Sequence, residues 1–173
     1  MSLALRRAEP RDAELVFALV RELAEYEKLT HEVVAKPEDI ANALFAPEPR
    51  LSCDIAEWHG EPAGFSVWFL NFSTFRGRHG VYLEDVFVRP AFRGRGIGTA
   101  LLKQLARHCV DNGYARFEWA VLDWNVNAMS FYESLGATVL PDWRIVRVTG
   151  PALDRLAAPR ALITDHEPGN MNA

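Results

Sequence analysis

The chain has 173 residues, 49% of them hydrophobic, which suits one compact α/β domain with a sizeable core. Its formal net charge of -4 lacks the basic excess of a nucleic-acid binder, and two cysteines, Cys53 and Cys109, form neither a disulfide framework nor a metal-ligand spacing. No run reaches the ~18 apolar residues of a membrane span, and the opening "MSLALRRAEP" lacks a signal peptide's apolar core, so the expectation is a soluble protein of the reducing cytoplasm with buried, free thiols and no metal.

In chain order, "LALRRA" reads as a short strand. Leu15, Val16, Leu19, Val20 and Leu23 then recur at helical spacing, with Asp12 as the expected N-cap. "KPEDIANALF" predicts a second, short helix with Pro37 in its first turn. "LSCDIAEW" and "AGFSVWFLNF", joined by "HGEP", predict a hairpin, "STFRGRHG" a loop, and "VYLEDVFVRP" a long strand ended by Pro90. After "AFRGRG", residues Ile97, Leu101, Leu102, Leu105, Ala106, Cys109 and Val110 make one helical stripe stopped near Gly113. "ARFEWAVL" reads as a strand, "NVNAMSFYESLGA" as a helix with an Asn cap, and "WRIVRV" as a last strand. Residues 1–150 are expected to form a single domain, with 151–173 an extension made of a short helix and a loose tail. This order gives a mixed sheet flanked by helices, an α/β (α+β) class fold.

The stretch Arg93-Gly94-Arg95-Gly96-Ile97-Gly98 sits where a strand hands over to a helix. A helix start offers unpaired N–H donors and the positive end of its dipole, glycines keep the approach clear of Cβ atoms, and two arginines add charge. Phosphate or pyrophosphate is the natural ligand. The two familiar phosphate patterns fail on spacing: GxxxxGK[ST] is absent, and GxGxxG would place Thr99 or Leu101 where its third glycine belongs. From these six residues alone, a plain strand-to-helix turn with solvated arginines stays open.

Arg93-x-x-Gly96-x-Gly98 between strand and helix resembles the acetyl-CoA signature R/Q-x-x-G-x-G/A of the GNAT superfamily of N-acetyltransferases, and "WNVNAMSFYESLGA" resembles that superfamily's second block. The resemblance spans nearly all of residues 3–148. "LVRELAEYEKLTHEV", "VYLEDVFVRPAFRGRGIG", "VLDWNVNAMSFYESLGA" and "DWRIVRV" look closest to the diamine (spermidine/spermine) acetyltransferase branch and its bacterial relatives. It implies the GNAT fold, with a central, mostly antiparallel twisted sheet flanked by helices. It also implies acetyl-CoA as co-substrate without a metal, direct transfer to a small-molecule amine, and a homodimer, with no nucleic-acid or membrane partner.

The resemblance also assigns roles. The backbone of Val86, Phe87 and Val88 would pair with the pantetheine arm, and Arg93, Gly94, Arg95, Gly96, Ile97, Gly98 and Thr99 would cradle the pyrophosphate. Asn125 and Ser130 would touch the cofactor, with a helix N-cap the competing reading of Asn125. Tyr132, a phenol with an ordinary pKa of about 10, would protonate the leaving thiolate. Glu84 and Asp85 are adjacent on a strand and so should point to opposite faces, and the branch makes Glu84 the base, acting through water. Tyr26, Glu27, Glu84, Asp85 and Trp143 would line the amine side. The chain departs from the branch where Ser73 replaces an acid and Arg76 and Arg78 add positive charge, which argues for an amine carrying an anion, such as a lysine-like amino acid, rather than spermine. Peptide or protein N-acetylation and a non-catalytic CoA-binding regulator are the alternatives.

Overall fold

Strands β1 (Leu3–Arg7), β2 (Ser52–Trp58), β3 (Glu61–Ser73), β4 (Arg78–Val88) and β5 (Phe117–Trp119) form one sheet in that spatial order. The first three pairings are antiparallel and the last, β4 with β5, is parallel. Helices α1 (Ala13–Tyr26), α2 (Pro37–Phe45) and α3 (Ile97–Asp111) accompany the sheet. The computed structural model describes residues 2–158 and divides into two units, one ending at Trp124 and one beginning at Asn125.

In the first unit, period-two alternation in the middle strands gives the sheet two apolar faces. Cys53, Ile55, Phe65, Val67 and Phe87 pack with Val16, Leu19 and Leu23 of α1 and Leu44 of α2. Ala56 and Ala63 pack with Ile97 and Leu101 of α3. The mixed sheet flanked by helices is the expected fold, and both cysteines are buried and free.

Several local expectations change. Asp12 precedes α1 but does not cap it: its carboxylate accepts from the Glu9 amide at 2.8 Å and from Arg6 at 2.6 and 2.9 Å. Arg6 also reaches Glu57 at 2.7 Å and so joins β1, β2 and the start of α1; its guanidinium holds the Asp12 carboxyl below the usual range. Of residues 73–80, expected as a loop, only 74–77 form a turn, because β3 and β4 run on to pair Ser73 with Arg78. In α3, Ala106 and Val110 face outward, since the buried stripe follows Ile97, Leu101, Leu105 and Cys109.

The second unit, described from Asn125 to residue 158, contains α4 (Val126–Ser134) and α5 (Pro151–Ala157). Asn125 caps α4, its Oδ1 accepting from the Ala128 amide at 3.3 Å. The expected strand over Trp143–Val148 is not formed among the described residues. Trp143, Ile145 and Val146 are 75%, 72% and 88% exposed. Strand composition without a ladder partner does not make a strand. The expected short helix is α5, and the expected tail at 159–173 lies outside the described residues.

Candidate active site

The site is set by an irregularity in β4. Val67 of β3 pairs with Asp85, but Trp68 pairs with Leu83, so Glu84 is an extra residue, a β-bulge. Leu83 shares a face with Trp68, whose ring contacts His108 of α3 at 4.9 Å, and Val86 also packs on the α3 side. Between them, Asp85 shares the α1 side with its partner Val67, and the inserted Glu84 has no partner in the β3 register. Simple alternation along β4 is therefore interrupted between the two acids. β4 also pairs only briefly with β5. Their ladder covers only Val81–Leu83 against Phe117–Trp119; the Ala115 amide donates to the His79 carbonyl at 2.8 Å and the Val81 amide to the Arg116 carbonyl at 3.0 Å, while residues 120–122, expected as strand, lie outside it. Beyond Leu83 the outer edge of β4 has no ladder partner among the described residues, so outward backbone groups from Glu84 to Phe87 are left for another extended chain, while the Val88 carbonyl accepts from Arg93 Nε.

Asp85 is partly buried and Glu84 exposed. Burial, then the negative charges of Glu84 and Glu27, pushes the Asp85 carboxyl up to about 7. Burial also raises Glu27, which follows the last residue of α1. No hydrogen bond or ion pair neutralises Asp85 among the described residues. An aromatic wall stands beside these acids: the Tyr26 ring lies 6.4 Å from Phe87 and 6.3 Å from Trp124. Arg89 pins α1 to the end of β4 through Glu22, at 2.6 Å, and donates to the Pro62 carbonyl at 2.8 Å.

After Val88 a 3-10 turn, Pro90–Phe92, leads to Gly94 at φ 74° and Gly96 at φ 76°. These are left-handed conformations that L residues with a Cβ rarely adopt, and no heavy atom lies within 4 Å of where a Cβ would stand, so glycine is required here by conformation. Gly96 is the N-cap of α3, and no side chain caps the helix. The first helical bond runs from the Ala100 amide to the Gly96 carbonyl at 2.9 Å, which leaves the N–H groups of Ile97, Gly98 and Thr99 open. The arginine side chains are engaged elsewhere. Arg93 lies 4.5 Å over the Tyr26 ring and 5.7 Å from Phe87, with Nε donating to the Val88 carbonyl at 2.9 Å. Arg95 lies 5.3 Å over Trp58. An anion at this turn would therefore meet backbone first.

The first unit thus brings together Tyr26, Glu27, Glu84, Asp85, the β4 edge at Val86–Val88 and the Arg93–Thr99 turn. Val86 and Val88 pack with Ile97 and Leu101, and Phe87 is buried on the other face, so side chains serve the core while the backbone edge stays open. The second unit carries the remaining candidates: Asn125 as the cap of α4, Ser130 exposed on it, Tyr132 half-buried with its ring 5.5 Å from Phe131, and Trp143 in the extended stretch. Sequence reasoning did not single out Trp124 or Arg89, although a tryptophan just before the cap and an arginine just before Pro90 were visible signals. Ser73 and Arg76 form the β3–β4 turn, where the Arg76 amide donates to Ser73 Oγ at 3.3 Å. At ~3.4 Å per strand residue, that turn stands roughly 20 Å along β4 from Asp85. Among the described residues no group of three or more His, Cys, Asp or Glu could hold a metal, and no helix is long and apolar enough to cross a membrane.

The model of the acetyltransferase (GNAT) family matches residues 15–137. The chain is 38% identical to thialysine N-epsilon-acetyltransferase of Bos taurus, an alignment covering 88% of this chain and 96% of that protein. It is 31% identical to L-ornithine N5-acetyltransferase NATA1 of Arabidopsis thaliana, with 88% and 86% covered. Among solved structures, an integron cassette protein from the mobile metagenome of V. cholerae superposes with a TM-score of 0.76 at 28% identity, covering 92% of this chain and 99% of that one.

Proposed function

The chain belongs to the acetyltransferase (GNAT) family and uses acetyl-CoA to acetylate a primary amine, and we propose that a small, lysine-like amino acid carries that amine. The observation that carries the proposal is Asp85, a partly buried carboxylate with Glu84 and Glu27 as charged neighbours and no ion pair among the described residues. An ammonium supplies the missing charge, and the Tyr26–Trp124–Phe87 wall suits the aliphatic stem behind it. Two relatives aligned over most of their length are named for side-chain nitrogens of amino acids. The residue pattern shared with the diamine branch fits the same acids, but it does not select a long polyamine.

The co-substrate supplies an activated thioester. In this reading the β4 edge from Val86 to Val88 holds its extended arm, and the open amides of Ile97, Gly98 and Thr99, with Gly94 and Gly96, receive the pyrophosphate. Arg93 and Arg95 border that turn. Asn125 and Ser130 contact the cofactor, and Tyr132 protonates the departing sulfur. Tyr26, Glu27, Glu84, Asp85 and Trp143 belong to the amine side. Residues 1–150 act as one acetyltransferase domain, the protein is a homodimer, and the free, buried thiols suit a cytoplasmic location.

The test is CoA release from acetyl-CoA across thialysine, ornithine, lysine, diamines, polyamines, aminoglycosides and short peptides. The amino acids are expected to lead the polyamines by about tenfold or more in kcat/KM. A lead by peptides or polyamines would move the acceptor class. Tight acetyl-CoA binding without CoA release would make the protein a regulator.

A further inference from the structure

Resting on the acetyl-transfer reading above, we propose that Arg93 couples the two substrates. Its side chain touches both the cofactor edge and the amine wall, so acetyl-CoA draws it off Tyr26 and thereby raises affinity for the amine. The first ground is the register at the end of β4. The Arg89 amide donates to the Ala63 carbonyl at 2.9 Å, and Val88 stands opposite Gly64. Inward and outward pairs alternate along an antiparallel ladder, so Val88, like Val86, turns its N–H and C=O to the open edge. That Val88 carbonyl accepts from Arg93 Nε at 2.9 Å. The guanidinium thus lies on the edge that the extended arm of the cofactor is read to use. The second ground is the amine wall. The guanidinium carbon lies 4.5 Å over the Tyr26 ring and 5.7 Å from Phe87. A cation over that ring face fills the place that the substrate's cationic end or its stem would take.

The seat is one that Arg93 can leave. The residue is exposed, and it forms no ion pair among the described residues; its contacts are two ring faces and one carbonyl. A pyrophosphate at the open amides of Ile97, Gly98 and Thr99 offers a guanidinium charge-assisted, two-point hydrogen bonding, which is stronger than such contacts. Arg93 that turns to the phosphates clears the Val88 carbonyl and the Tyr26 face together. Arg95 supplies the contrast. It borders the same turn but lies 5.3 Å over Trp58, which packs with the α3-side cluster, whereas Phe87 beside Tyr26 belongs to the α1-side core. Arg95 therefore brings charge to the phosphates without occupying the amine wall. Coupling of this kind is reciprocal, so the amine tightens the cofactor by the factor by which the cofactor tightens the amine.

The experiment measures thialysine binding by calorimetry to the protein alone and to the protein saturated with CoA, and CoA binding with and without thialysine. It compares wild type, Arg93→Ala and Arg95→Ala, with melting temperatures to confirm that each is folded. Wild type should bind thialysine about tenfold more tightly with CoA present, and CoA more tightly with thialysine by the same factor. Arg93→Ala should bind thialysine more tightly than wild type does when CoA is left out, and CoA should then change that affinity by less than about twofold. Arg95→Ala should lose affinity for CoA, as Arg93→Ala does, yet keep the roughly tenfold coupling. The proposal is overturned if wild type shows no coupling, if Arg93→Ala keeps it, or if Arg95→Ala loses it equally. A wild-type protein that releases CoA with none of the panel overturns the acetyl-transfer reading, and this proposal with it, a result distinct from binding without coupling.

Discussion

Asp85 costs the fold stability at neutral pH. Its carboxyl sits at about 7 in the native chain against roughly 3.9 unfolded, so between those values the folded state holds the proton more tightly. Stability therefore falls as pH rises from about 4 to about 7 and stays lower above that. A shift of about three units corresponds to ~4 kcal/mol, which contact with solvent reduces to about 2 kcal/mol. Asp85→Asn should therefore melt above wild type at mildly alkaline pH, with the advantage fading toward pH ~4. A difference that does not change with pH would mean that the carboxyl is well solvated. At Tyr132, replacement by Phe should lower kcat roughly 10²-fold and leave acetyl-CoA affinity within about twofold, read by turnover and calorimetry. An unchanged kcat would pass the acid role to another group.

Two elements arrange the site, the bulged strand β4 and the turn into α3. Gly96 at φ 76° and Gly113 at φ 65° stand just outside opposite ends of α3, roughly 25 Å apart at ~1.5 Å per residue. Replacing either by Ala should cost about 1–2 kcal/mol of stability from the strained left-handed backbone. Gly96→Ala should also weaken acetyl-CoA binding by about tenfold, because it disturbs the open amides, whereas Gly113→Ala should leave affinity alone. Equal affinities for the two variants would remove the helix start from the cofactor site. The turn and α3 were legible because a 3.6-residue stripe and a Gly-rich junction are local signals. The bulge at Glu84 was not, because an inserted residue exists only relative to the register of the neighbouring strand.

At the scale of the whole molecule, the match to the acetyltransferase family runs from residue 15 to residue 137 and so includes residues of both units. The stretch Trp143–Val148 is rich in strand-forming apolar residues and has no ladder partner among the described residues. If the protein is the homodimer proposed above, sedimentation should report about twice the 19.5 kDa chain mass. Asp substitutions at Ile145 and Val146 should shift it toward the monomer by placing charge on an apolar contact. A wild-type monomer mass at assay concentration would end that part of the reading.

The order of elements as far as α4 and the glycine turn followed from the chain alone, since periodicity and turn chemistry act over a few residues. Asn125 also keeps its helix-cap role in the structure. Other features were decided only by tertiary structure. Asp12 serves Arg6 and Glu9 instead of capping α1, Arg93 and Arg95 lay their guanidinium groups on aromatic rings, and β5 stops at Trp119. Most of all, the register of β4 breaks at Glu84, between Leu83 and Asp85. Each depends on which distant group comes within a few ångströms, and strand alternation predicts a side chain's face only while the register is unbroken.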